Sequence, residues 1–376
     1  MAYNILGINP FHDGSVCLLS DGKIILYIEE ERISLIKKDP NPFLAIQEVF
    51  NKYKIDAIVL GGLNHLKGTL SYTFAEPIEY FCGKLASKTN QHISFYDLSE
   101  QHHDLHTLMS FHNSGFNKAL GVTIDGGGSR NINTQQEEAN SISTWDYPNV
   151  NLVKKIFRDF NDFKPQLNVA NFYTAITNYL GFKLNQEGKT MGLSSYGNFN
   201  KEFSKKYFNN FKLLPQFGHI NTFQNSKNPD IYLQNYFSLN SSIFPPLTNF
   251  EWHKDPSKLD QKISDLALEI QNECQKNVGD MIEKYINKTG LKNVVCSGGY
   301  FLNCVNNYYL IKRFPNINFY FEPISHDGGT AIGAALALWY NKTQNLSLKK
   351  RIKSIYYGPQ YSKNQLLKGI QKYVSN

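Results

Sequence analysis

A strand, an Asp/Gly-rich turn and a returning strand occur twice in this chain, and no other feature restricts the fold as much. Residues 3–9 read as a strand, Pro10-Phe11-His12-Asp13-Gly14 as a polar turn and 15–19 as the return. Ser20-Asp21-Gly22 then turns the chain into a third strand over 23–29. From Lys118 the device recurs. Ala119-Leu120-Gly121-Val122-Thr123-Ile124 is a strand and Asp125-Gly126-Gly127-Gly128-Ser129 a glycine turn, with further strands over 141–147 and 151–157. The pattern repeats while the residues do not. An Asp-Gly turn alone is common in hairpins. Two at matching positions, one carrying a histidine and an aspartate, favour turns that face each other across a cleft.

Around these units the chain reads as α/β. Residues 56–63 and 92–98 are strand patterns, and a helical stretch runs from His102 to near Gly115. An amphipathic helix covers 168–180 and a long one 258–287; between them, 198–255 is an Asn-, Phe-, Lys- and Pro-rich insertion of weak periodicity. A strand at 293–296, a Gly-Gly turn, a helix from Leu302, a strand at 317–321 and a helix at 329–340 follow. A new unit begins around Ile355.

The 41% hydrophobic content is enough for an ordinary core and excludes disorder. No apolar run reaches membrane-span length, and Met1-Ala2-Tyr3-Asn4 leads straight into a strand rather than a signal peptide. The five cysteines are scattered without CxxC spacing, which points to reduced thiols in the cytoplasm and against a cysteine zinc site. The net charge of +7 is spread out apart from Lys349-Lys350-Arg351-Ile352-Lys353, which argues against nucleic acid as a direct partner.

Gln101-His102-His103-Asp104-Leu105-His106 places three of the ten histidines within five residues. On a helix His102 and His106 share a face, a spacing that lets two imidazoles hold one metal ion. A polar helix face rich in histidine fits the same residues. Asp327, in His326-Asp327-Gly328-Gly329-Thr330, is the carboxylate chosen as third ligand, although a plain helix N-cap also fits it. The bare backbone of Asp125, Gly126, Gly127 and Gly128 suits a phosphate. Ser297-Gly298-Gly299, between strand and helix, suits a nucleotide, with Asn303 on its base or ribose; a plain αβ connection is the other reading. Glu187 and Lys189, in the glycine-punctuated loop 187–197, either hold substrate or form a salt-bridged lid.

Taken in order, these motifs resemble the nodulation-type and antibiotic O-carbamoyltransferase family. The matching segments are GINPFHDGSVCLLSDGKIILYIEEERIS (7–34), QHHDLHTLMSFHNSGFNKALGVTIDGGG (101–128), EGKTMGLSSYG (187–197), VVCSGGYFLNCVNN (294–307) and EPISHDGGTAIGAALA (322–337). The resemblance implies a two-lobed actin-like/sugar-kinase ATPase fold, with duplicated mixed five-stranded sheets flanked by helices. That domain would span 1–345, lobe one about 1–115 and lobe two about 116–345, leaving 346–376 as a linker and the truncated start of a C-terminal domain. It is also similar to tRNA threonylcarbamoyl transferases.

The implied reaction starts from carbamoyl phosphate and ATP, which give carbamoyl-adenylate in an adenylate-forming domain. The actin-like domain then moves the carbamoyl group to a hydroxyl of a sugar or sugar-containing acceptor. The resemblance carries the metal onto His102, His106 and Asp327, as iron(II), with zinc or manganese as alternatives. His12, beside Asp13, becomes the candidate for general base or for positioning the acceptor. Only the lead-in to the adenylate-forming domain is expected here, so the chain reads as a fragment, as a split enzyme whose partner is a separate domain or chain, or as a degenerate form. A tRNA threonylcarbamoyl transferase and a non-catalytic actin-like nucleotide-binding module are the competing readings.

Overall fold

Continuous apolar runs build the centre of the first of two sheets. The computed structural model describes residues 2–63, 75–131, 136–159, 169–183, 185–199, 251–345, 349–358 and 361–374. Strands β1 (Asn4–Asn9), β2 (Ser15–Ser20) and β3 (Lys23–Glu29) form an antiparallel meander. Its second turn pairs Ser20 with Lys23 around Asp21 and Gly22, both at positive φ, as a two-residue Asp-Gly hairpin requires. After helices α1 (Glu31–Ser34) and α2 (Phe43–Phe50), β4 (Ala57–Leu60) runs parallel to β1. Helix α3 (Ala75–Lys88) leads to β5 (Ser94–Asp97), parallel to β4. The order is β3-β2-β1-β4-β5. Every residue of β4 is buried, as a central parallel strand covered on both faces demands.

The second sheet repeats that order. Helix α4 (His102–Ser114) precedes β6 (Ala119–Ile124), the short β7 (Arg130–Asn131), β8 (Gln136–Asp146) and β9 (Asn149–Asp159). Helices α5 (Val169–Tyr179), α6 (Glu187–Ser194) and α7 (Gln261–Thr289) follow. Then come β10 (Asn293–Ser297), α8 (Cys304–Arg313), β11 (Asn318–Phe321), α9 (Thr330–Thr343) and α10 (Lys363–Val374). Strand β6 pairs antiparallel with β8 and parallel with β10; β8 pairs antiparallel with β9, and β10 parallel with β11. The path β9-β8-β6-β10-β11 therefore copies β3-β2-β1-β4-β5, with β7 as an extra pairing on β8. This is the duplicated, two-lobed actin-like arrangement that the family resemblance implies, and the repeated strand-turn-strand device agrees with it.

Two helices tie the lobes together. The histidine helix α4 packs on β6, β8 and β10 of the second sheet, while α9 packs on β1, β2 and β4 of the first, and the two cross. The crossing is close because α9 carries small residues. A Cβ at Gly333 would stand 2.3 Å from the Leu105 carbonyl oxygen of α4. Long α7 starts on an Asp260 cap, whose carboxylate accepts from Lys262 N at 3.0 Å, and ends at Gly290 with φ 68°. Its Ile263, Leu266, Ile270, Cys274 and Val278 close the second core against Phe172 and Ile176 of α5.

The stretch 187–197, read from sequence as a loop, is helical over Glu187–Ser194. Its glycines lower intrinsic helicity, but Thr190, Leu193 and Ser194 are buried, and α6 packs against α7. Most of the expected insertion, 200–250, lies outside the described residues. Past α9, Ile352 N donates to Asn113 O of α4 at 2.9 Å and Tyr27 N of β3 to Tyr357 O at 3.1 Å, so the stretch read as a linker lies along α4 and β3. No helix among the described residues is long and apolar enough to cross a membrane.

Candidate metal centre and catalytic cleft

Four side chains from three parts of the chain converge where the lobes meet. Helical spacing stacks His102 and His106 on one face of α4, their ring centroids 4.7 Å apart. Asp125 closes β6 and Asp327 opens the turn before α9. One ligand atom from each of the four lies within 4.8 Å of all the others. His106 Nε2 stands 3.3 Å from Asp125 Oδ2 and 3.6 Å from Asp327 Oδ1; the His102 distances are 3.6 and 3.7 Å. All four residues are buried, both histidines completely.

The outward nitrogens of the two rings are held from behind. His102 Nδ1 donates to the Gly62 carbonyl at 2.9 Å, and His106 Nδ1 lies 3.3 Å from Ser297 Oγ. Both Nε2 atoms are buried without a hydrogen-bond partner among the described residues. Orphaned imidazole nitrogens facing two buried carboxylates fit a divalent cation, which would offset the cost of burying that charge. Two nitrogens and two carboxylate oxygens suit iron(II), zinc or manganese. The electrostatics agree. Burial opposes charge on His102, yet Asp327 and Asp125 outweigh it and hold its pKa up to about 9. Burial likewise opposes ionisation of Asp125, and His102 and His106 pull it well below the usual carboxylate range.

The first turn brings His12 to the same carboxylates. Its Nδ1 is 2.9 Å from Asp13 Oδ2 and its Nε2 is 3.2 Å from Asp327 Oδ2. Asn9 Nδ2 donates to the carbonyls of His12 and Asp13, both at 3.1 Å, which fixes the turn with Asp13 at φ 60°. Burial works against the His12 imidazolium, but Asp327 and Asp13 leave its pKa above the ordinary value. Lys38 Nζ reaches Asp13 Oδ2 at 3.4 Å. The His12 side chain is 41% exposed and opens onto a cleft of about 470 Å³.

Of the residues expected to hold nucleotide or substrate, Asp125, Gly126, Gly127, Glu187, Gly299 and Asn303 line that cleft. Gly128 does not; a Cβ there would press on Glu138 and on His103 Nε2, both at 2.7 Å. Gly298 sits against the Ile124 backbone, and the Lys189 ammonium lies over the Phe182 ring, 5.7 Å from its centroid. The Asn303 amide exchanges two hydrogen bonds with Gln271, at 3.1 and 2.9 Å, and caps α8. Glu187 accepts from Thr174 Oγ1 at 2.8 Å. His103 turns away, its Nδ1 2.8 Å from Ser141 Oγ, and burial presses its pKa down to about 4.

Sequence reading assigned Asp125 to the phosphate turn and missed it as a fourth donor. A carboxylate at the carboxyl end of a buried central strand was the available signal, because α/β sheets bind ligands there. Lys37 and Lys38 at the cleft lip, and the buried Gln271, carried no such signal.

Residues 71–336 match the family described as Carbamoyltransferase N-terminus. An uncharacterised protein of Synechocystis sp. is 25% identical over 96% of this chain and 62% of its own length. Nodulation protein NolNO of Sinorhizobium fredii is 24% identical over 93% of this chain and 49% of its own. Among solved structures, HypF of T. kodakarensis is 12% identical with a TM-score of 0.47, over 93% of this chain and 50% of that one. The chain thus spans between 49% and 62% of the length of the two curated relatives.

Proposed function

The chain belongs to the carbamoyltransferase family, and on that premise we propose that it moves a carbamoyl group from carbamoyl-adenylate to a hydroxyl of a sugar or sugar-containing metabolite. One observation carries this reading. Asp125 and Asp327 of the four-donor set line the cleft beside the His12–Asp13 pair, and His102 and His106 lie fully buried against those two carboxylates.

His12 is the general base. Asp13 orients its ring, and Nε2 takes the acceptor's proton as the acceptor oxygen bonds to the carbamoyl carbon. The bond from that carbon to the adenylate phosphate oxygen breaks, and AMP leaves with its electron pair. Gly126 and Gly127 let the backbone approach the phosphate, and Lys37 and Lys38 supply positive charge at the lip. A divalent cation on the four donors, iron(II) or else zinc or manganese, supplies Lewis acidity toward a carbonyl or phosphate oxygen. Carbamoyl phosphate and ATP are the source of the adenylate, made by a separate domain or chain.

The test supplies synthetic carbamoyl-adenylate with a panel of hydroxylated acceptors and looks for a carbamoylated product by mass spectrometry. Carbamoylated product from the adenylate is the expected result. Nucleotide binding with no transfer to any acceptor favours the non-catalytic module instead.

A further inference from the structure

We propose that Thr330 is a positioning residue that sets the tautomer of His102 and the seat of Asp327 through a single hydroxyl. The inference rests on the metal reading above and concerns how two ligands from opposite ends of the chain are aligned.

A neutral imidazole carries one N–H, so a His102 that offers Nε2 to a cation must keep its proton on Nδ1. The acceptor that keeps it there is the carbonyl of Gly62, at 2.9 Å. Gly62 holds that orientation in the left-handed region, at φ 79°, where a Cβ would also come within 2.6 Å of Asn9 Oδ1. Its own N–H donates to Thr330 Oγ1 at 2.9 Å. Thr330 Oγ1 in turn donates to the Asp327 carbonyl at 2.6 Å.

The hydroxyl therefore spends its one proton on the residue that carries one ligand and accepts from the residue that orients another. Thr330 is fully buried, and a Cβ at Gly61 would lie 2.7 Å from its carbonyl, so the end of β4 and the start of α9 are in direct contact. A mere helix-start hydroxyl would support stability without tuning metal affinity. The Gly62 link is what separates the two roles.

The experiment titrates metal-stripped wild type, Thr330→Val, Thr330→Ser and Thr330→Ala with cobalt(II), an optical stand-in for iron(II) or zinc, read by visible absorption. Thermal melts of the stripped proteins run alongside. Wild type and T330S are expected to bind alike, with T330V weaker by about 10- to 100-fold, the usual cost of losing an outer partner of a metal ligand. T330A, with less bulk to place, gives the same readout should T330V not fold. Hydroxyl-free variants that bind as tightly as wild type, whatever their melting temperature, overturn the bridge alone. A wild type that takes up no cobalt overturns the metal reading and the bridge with it.

Discussion

His12 and Asp327 meet across the cleft floor, Nε2 to Oδ2 at 3.2 Å, while Asp13 holds the other face of the same imidazole at 2.9 Å. Both carboxylates favour the imidazolium and raise its pKa. A base must be neutral to work, so transfer is expected to rise with pH along a limb set by His12. H12N should lower the transfer rate from supplied carbamoyl-adenylate by about 10²- to 10⁴-fold. D13N removes one stabilising charge and should move the limb to lower pH. A pH–rate profile checks both, and an unmoved limb in D13N would remove His12 from the role.

His102→Ala and His106→Ala should each strip the metal and leave the fold intact. Asp125→Ala separates the three-ligand set legible in the sequence from the four-donor set of the structure. Its expected loss in affinity exceeds about 100-fold, the upper range for an outer partner alone. Metal analysis of purified proteins reads all three, and full metal content in the histidine variants would sink the assignment.

The hairpins were readable because Asp-Gly turns and apolar strands are local signals. Thus Asp21-Gly22 and 119–124 appear where expected, and the His102/His106 pair needs only helical spacing. What stayed hidden is tertiary. Asp125 looks like any hairpin aspartate until β6 is laid beside α4. The close packing of Gly128 on His103 and Glu138, and of Gly298 on the Ile124 backbone, has no local signal either. Glycines 188 and 192 disguise a helix that forms because α7 covers it.

The crossing of α4 and α9 gives a stability prediction. Gly333→Ala places a methyl 2.3 Å from a backbone oxygen that cannot rotate away, so one helix must shift. Overpacking of this kind costs about 1–3 kcal/mol. Because α4 carries both histidines, metal affinity should fall in the same variant. Urea unfolding and metal titration check the pair of effects; a fully stable variant would mean the crossing is looser than drawn.

His112, on the far end of α4, predicts acid sensitivity. Its Nδ1 meets the Tyr340 hydroxyl, and burial, with Lys349 nearby, presses its pKa from 6.5 down to about 4. The unfolded chain therefore binds this proton more tightly than the folded one. The contribution to stability is full above pH 6.5 and shrinks as pH falls toward 4, by at most ~1.4 kcal/mol per pH unit. His112→Gln keeps an acceptor for Tyr340 and cannot titrate, so its unfolding free energy should fall less between pH 7 and pH 5. Buried His103 shares the same sign and remains in the variant, which leaves a residual slope. Urea titrations at the two pH values measure the difference, and equal losses in both proteins would show that His112 does not titrate on unfolding.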